Sequence, residues 1–239
     1  QDVYSRLLRE IVVPKIRLVV SSQWQVRTFE PVVQMLESIK PLLPTGLLDV
    51  LTRQCVVPAL KRAVDSWNPR NDRVPIQTWI HPWLNLISPA AMEPVYAQVR
   101  YKFGLVLQDW HPSDASAFSV IAPWHKVWKQ RDFESFIGRT ILPRLVGALR
   151  EQFVVNPHQQ RLEPFQWVIC WQPVMPTSAV VHLLATEFFP KWFHGLHTWL
   201  SAQPDFEEVS RWYLGWKEAF PPEIRQAPQI KVMFNQGLD

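Results

Sequence analysis

Large apolar residues recur along this chain at i and i+4, the spacing that puts two side chains on one face of a helix. The clearest instances are four tryptophan pairs: Trp79/Trp83, Trp124/Trp128, Trp167/Trp171 and Trp212/Trp216. Their first members stand 45, 43 and 45 residues apart, and one step further back the same slot holds Met35 and Ile39. Ile80, Leu84, Val120, Val127, Val168, Val209 and Leu214 widen the apolar stripe. A pattern returning about every 44 residues predicts tandem two-helix repeats, which have periods of this size. The eight tryptophans are therefore expected in the structural core, between neighbouring helices.

A second ladder shares the period. Two large apolar residues followed by proline appear as Val12-Val13-Pro14, Val56-Val57-Pro58, Ile141-Leu142-Pro143 and Phe188-Phe189-Pro190. The prolines are 44, 85 and 47 apart, so one copy is missing near Pro94, where a shortened helix is expected. Candidate N-caps Asp2, Asp132 and Thr177 precede three of these prolines by 12, 11 and 13 residues. A proline three turns into a helix removes one hydrogen bond and clashes with the preceding turn. The second helix of each repeat should be kinked or split there. Asp114 is another candidate cap, and Asp205 with Glu208 has the form of a capping box. Strand signals are weak, since no alternating β-branched runs are bounded by tight hairpin turns. The expectation is an all-α chain of about eleven helical segments, stacked as an α-solenoid forming a single domain over 1–239. Solenoids present surface, so binding is expected rather than catalysis.

Composition narrows the function further. No apolar run reaches membrane-spanning length. The chain starts at Gln1 without a signal peptide and reads as a fragment of a larger protein. Cys55 and Cys170 fit no metal or redox spacing. The net charge of +4 is spread evenly, with 13 basic against 10 acidic residues in 1–120 and 12 against 11 in 121–239. That balance lacks the asymmetry of a dedicated nucleic-acid binder.

Candidate chemistry is sparse, and no catalytic residue, metal site or cofactor is expected. His194 and His197 could form half of a metal site, but no third ligand stands at a telling distance. His111 between Asp109 and Asp114 could pair with a carboxylate for acid–base work, although Asp114 reads more simply as a cap. Lys61, Arg62, Arg70 and Arg73, with Trp67 among them, have the make-up of a nucleic-acid contact or of an ordinary charged helix end. Asn156, His158, Gln159, Gln160 and Arg161 form a polar loop, a candidate partner-binding tip or a tie between repeats.

Several longer stretches are distinctive: Val74-Pro75-Ile76-Gln77-Thr78-Trp79-Ile80-His81-Pro82-Trp83-Leu84, Trp110-His111-Pro112-Ser113-Asp114, Val155-Asn156-Pro157-His158-Gln159-Gln160, Phe188-Phe189-Pro190-Lys191-Trp192 and Arg211-Trp212-Tyr213-Leu214-Gly215-Trp216-Lys217. In order and spacing they resemble the GCFC region of the tuftelin-interacting (septin- and tuftelin-interacting) protein family. The resemblance implies a nuclear pre-mRNA splicing factor that works in late spliceosomes. A G-patch in such proteins recruits a DEAH-box RNA helicase for intron-lariat disassembly. The GCFC region is then a non-catalytic scaffold for spliceosomal proteins and other GCFC-type proteins. The seven glycines here are scattered singly, so the G-patch is expected outside this chain. Direct RNA or DNA binding by a basic helical face is the alternative function.

Overall fold

The computed structural model describes residues 3–20, 24–44 and 46–238. The chain is mostly α-helical, with one small antiparallel hairpin among the described residues. Residues 1–106 with 126–128 gather into one compact unit, and 107–125 with 129–239 into a second.

The unit formed by 1–106 and 126–128 centres on Leu36, Leu60, Val64, Trp79, Ile80, Trp83, Met92, Val95 and Val99, each no more than 1% exposed. Trp79 and Trp83 lie where an α-helix, Gln77–Ile80, tightens into a 3-10 segment, His81–Asn85. Pro82 is the second residue of that segment, and Trp83 meets Trp24 edge-on at 5.1 Å. The expectation of a shortened helix near Pro94 is wrong. Pro94 sits inside a helix of 19 residues, Pro89–Leu107. The missing donor falls in the second turn, so a single hydrogen bond is lost near the end of the helix. Burial of Met92, Val95, Tyr96, Val99 and Phe103 along the same helix offsets that loss.

Trp128 is buried as expected, but it is not the second member of a helical pair. It sits in a bend, outside any helix, and the Arg100 guanidinium lies over its ring, 5.3 Å from the centroid. The helix Ser116–Ile121 tightens at Pro123 into the 3-10 segment Ala122–Trp124 and stops there. Lys129, with ψ at 137°, then starts a separate helix. The i, i+4 spacing of Trp124 and Trp128 therefore marks two buried indoles without a shared helix face. The chain leaves the helical path between them through the turn at 125–127.

In the second unit the core is aromatic. Phe133, Phe153, Phe188, Phe189, Trp192, Phe220 and Phe234 are all at most 1% exposed. Phe188 meets Phe153, Phe165, Trp216 and Phe220 at centroid distances of 5.1–5.4 Å. These are mostly tilted or edge-on pairs, the arrangement that ring quadrupoles favour. Of the paired tryptophans here, Trp124, Trp171 and Trp216 are buried. Trp167 and Trp212 keep part of their surface exposed, which makes them rims of the core.

The apolar-apolar-proline ladder has a local cause that sequence reading missed. Three of its prolines stand two positions past the end of a π-helical turn: Leu8–Val12, Thr52–Val56 and Leu184–Phe188. In each, the residue before the proline donates its N–H to a carbonyl five residues back: Val13 to Leu8, Val57 to Thr52, Phe189 to Leu184. The proline then takes the second position of the next α-segment, where no intrahelical donor is needed. At Pro143 the chain instead ends one helix, Gln130–Thr140, and begins another, Leu142–Glu151.

Helix starts follow the sequence in part. Asp205 caps Phe206–Ala219 by accepting from Glu207 N at 2.9 Å. Asp114 is not the cap of Ser116–Ile121, whose N-cap is Ala115; it stands one residue earlier and accepts from Ser116 N at 2.9 Å, and hydrogen bonding from Ser116 holds its carboxyl below the usual pKa. Asp132 is not a cap, because its helix starts earlier with Lys129 as N-cap. It sits in the first turn, where the helix dipole favours a negative charge. Thr177 is likewise inside its helix, behind Pro176. Asp2 lies outside the described residues.

Candidate interaction surface

The expected polar loop at 156–161 is a β-hairpin. Strand β1, Val154–Asn156, pairs antiparallel with β2, Gln159–Arg161, in the register Val154↔Arg161, Val155↔Gln160 and Asn156↔Gln159. Pro157 and His158 make the two-residue turn. Neither has a positive φ, so this is not the glycine-rich turn that marks most two-residue hairpins. Asn156 Oδ1 accepts from His158 N at 3.1 Å and closes the turn in the glycine's place.

Several ties fix the hairpin to its unit. Val155 turns inward, and its backbone lies close against Gly195 of the helix Phe189–Ser201. A Cβ there would stand 3.3 Å from the Val155 carbonyl oxygen. Arg161 donates to Gln152 Oε1 at 3.2 Å, and the Gln152 amide lies 2.8 Å from His111 Nε2. Trp212 Nε1 donates to Gln160 Oε1 at 3.4 Å. A further anchor is Lys191, whose Nζ donates to the carbonyls of Leu149, Arg150 and Phe153 at 2.7–2.9 Å. It thus closes the C-terminus of Leu142–Glu151 just before β1. Burial pushes the Lys191 pKa down, while the nearby Glu187 carboxylate partly opposes the shift.

Between hairpin and helix runs a groove of about 530 Å³, with Val155, Pro157, His158, His194, Thr198 and Trp199 among its walls. A smaller recess of about 270 Å³ continues it, sharing Pro157, His158 and Trp199 and adding Glu208, Arg211 and Trp212. His158 meets Trp199 edge-on at 6.0 Å, and Trp199 meets Trp212 at 5.9 Å with their planes 87° apart. Trp212 in turn stacks on buried Trp192, 5.6 Å away and 8° from parallel. Two part-exposed indoles are thereby held rigidly, one of them on the core itself. Such a surface can receive apolar or proline-containing peptide with little loss of side-chain entropy.

The candidate residues therefore divide. Gln160 and Arg161 tie the hairpin down, Asn156 closes its turn and lines the groove with His158, and Gln159 faces solvent. Trp199 and Arg211 are the lining residues that sequence reasoning passed over. Trp199 lies outside the W-x-x-x-W pairs, and that irregularity was the available signal.

The other candidates are brought into no common site. Lys61, Arg62, Arg70 and Arg73 are exposed. Trp67 among them is 4% exposed and packs edge-on against Phe103 at 5.4 Å, so its face is closed to a stacking base. His111 has Ser113 Oγ 2.8 Å from Nδ1 and the Gln152 amide by Nε2, so both ring nitrogens are engaged without a carboxylate. His194 and His197 are exposed, and no group of three metal-ligating side chains occurs among the described residues. No helix among those residues is long and apolar enough to cross a membrane.

Known proteins resemble this chain across its length. The family model for GC-rich sequence DNA-binding factor-like protein (GCFC) matches residues 1–196. Tuftelin-interacting protein 11 of Danio rerio is 45% identical over 238 residues, and those of Mus musculus and Bos taurus are 44% and 43% identical. Each match covers 100% of this chain and 28% of the relative. The chain belongs to the GC-rich sequence DNA-binding factor-like (GCFC) family, and within it resembles the tuftelin-interacting proteins.

Proposed function

We propose that this chain is a non-catalytic, protein-binding scaffold of a nuclear pre-mRNA splicing factor. It acts in late spliceosomes, during intron-lariat disassembly. In this reading 1–239 form one domain of stacked helix pairs, the second helix of each pair changing direction at its proline. The partners are spliceosomal proteins, other GCFC-type proteins among them. A DEAH-box helicase is engaged through a G-patch elsewhere in the same polypeptide. The observation that carries the reading is the Trp199–Trp212 groove, a part-exposed aromatic surface held on the core.

The test is affinity capture from nuclear extract with residues 1–239, before and after ribonuclease, with proteins identified by mass spectrometry. Spliceosomal proteins should survive ribonuclease and be depleted by a Trp199→Ala, Arg211→Ala double variant. An unchanged profile from that variant would remove the groove from the reading. The fragment alone should leave the helicase's RNA-stimulated ATPase rate unchanged. A second reading, RNA or DNA binding through Lys61, Arg62, Arg70 and Arg73, is favoured by their common exposure. It requires affinity that falls steeply with salt and is lost on charge removal at these four positions.

A further inference from the structure

The recess at the end of the hairpin groove holds spare hydrogen-bond donors. Among the described residues, no hydrogen bond or ion pair engages Trp199 Nε1 or the Arg211 guanidinium. Arg211 and Glu208 lie on the same helix, Phe206–Ala219, and line the same recess, yet they form no salt bridge. Trp212 Nε1 is held loosely, 3.4 Å from Gln160 Oε1. An indole N–H only donates, and a guanidinium carries donors and no acceptor. Charge is unbalanced in the same sense. Lys191 and Arg211 line the two spaces against the single carboxylate of Glu208, and the imidazoles of His158 and His194 can add to the positive side. The remaining walls of the recess are rings: Trp199 and Trp212 at right angles, with Pro157 beside them.

A ligand that matches these walls is rich in acceptors and poor in donors. Proline meets the apolar part: its tertiary amide keeps a carbonyl but has no N–H to strand against a ring face. A carboxylate meets the charged part, since it only accepts and a guanidinium binds it strongly. We infer that the recess binds an extended peptide of a partner protein in which an acidic residue follows proline. The prolyl ring packs on Trp199 and Trp212, the peptide carbonyl accepts from Trp199 Nε1, and the carboxylate pairs with Arg211. Proline-rich peptide arrives already extended, so little conformational entropy is lost. A second copy of this chain does not supply the segment. Proline precedes an acid only at Pro204-Asp205 and Pro222-Glu223. Asp205 is taken up as the cap of Phe206–Ala219, and Glu223 lies in the helix Pro222–Gln226, where it accepts from Gln172 Nε2 at 2.9 Å. The inference rests on the reading of the groove as a protein-binding surface.

Fluorescence anisotropy with residues 1–239 would compare short labelled peptides: Pro-Pro-Leu-Pro followed by two aspartates, the same with asparagines for the aspartates, and the same with alanines for the prolines. The aspartate peptide should bind about fivefold more tightly than the asparagine peptide in dilute buffer, the upper range for a solvent-facing ion pair. Salt should close that gap. Arg211→Gln should erase it while leaving the asparagine peptide's affinity unchanged. Trp199→Ala should weaken both peptides, and the alanine peptide should bind neither protein. Thr198→Glu, an exposed substitution on the groove wall, should weaken the aspartate peptide more than the asparagine peptide without touching the core. No binding of the aspartate peptide at about millimolar concentration overturns the inference. So does equal affinity for aspartate and asparagine peptides, or an equal loss for both in Arg211→Gln. A uridine oligonucleotide that binds in the peptide's place and is lost in Trp199→Ala also overturns it, and assigns the recess to nucleic acid. If the peptides fail while ribonuclease-resistant capture still depends on Trp199 and Arg211, the peptide class falls and the scaffold reading stands.

Discussion

Replacing Lys191 with methionine tests the local architecture of the groove most directly. The ammonium donates three hydrogen bonds, to Leu149 O, Arg150 O and Phe153 O. Hydrogen bonds from charged donors contribute about 1.5–3 kcal/mol each when removal leaves the acceptor unpaired. Three would give roughly 4–9 kcal/mol, but two corrections reduce this. The Arg150 carbonyl is in an exposed setting and regains water. Methionine also escapes the desolvation cost that lowers the lysine pKa and buries its thioether. The net expectation is about 2–3 kcal/mol, or about 4–12 °C in melting temperature at ~2–4 °C per kcal/mol. Urea titration at pH 7 and calorimetry read the stability. Hydrogen exchange at 154–161 should accelerate more than elsewhere, because Phe153 leads straight into β1. Lys191→Arg should restore little, since a planar guanidinium fits three converging carbonyls poorly. A Lys191→Met protein melting within about 1 °C of the parent, with hairpin exchange unaltered, would refute the anchoring argument.

Other outcomes follow from the same packing. Gly237→Ala should destabilise by about 1–3 kcal/mol, as expected for overpacking, because its Cβ would stand 2.6 Å from the buried Trp192 ring; chemical denaturation measures it. Trp83→Ala should cost about 3–5 kcal/mol, while Trp167→Ala should cost clearly less because its ring is part-exposed; equal losses in matched melts would count against the division. Glu187 is held below its usual pKa, first by its hydrogen bond with Arg150. A carboxylate depressed on folding stabilises above its unfolded pKa and loses that contribution as pH falls through the folded value. Glu187→Gln should therefore be less stable than the parent at pH 7, and the gap should close below about 4.5, the unfolded value.

Helical spacing and end signals alone were enough for the helical class, for the cap at Asp205, and for most of the paired tryptophans as packing residues. These depend on chemistry within four or five residues, which a sequence displays. Trp128 shows where spacing misleads: it is buried, but from a bend rather than from a helix shared with Trp124. Pro94 marks another limit of that logic: its local cost was legible, but the burial along Pro89–Leu107 that outweighs it was not. The π-turns before Pro14, Pro58 and Pro190 are local as well, yet the sequence displays them only as breaks. Their cue is a hydrogen-bond register, and no residue type advertises a register. The hairpin at 154–161 needed the tertiary structure outright. Three residues a side cannot hold a strand pair in water, and what stabilises it comes from Gly195, Gln152 and Trp212, residues outside the hairpin itself. The groove has the same origin. Trp199 and Trp212 are 13 residues apart on different helices. Only the packing of those helices sets the two rings at right angles and leaves both of them partly in solvent.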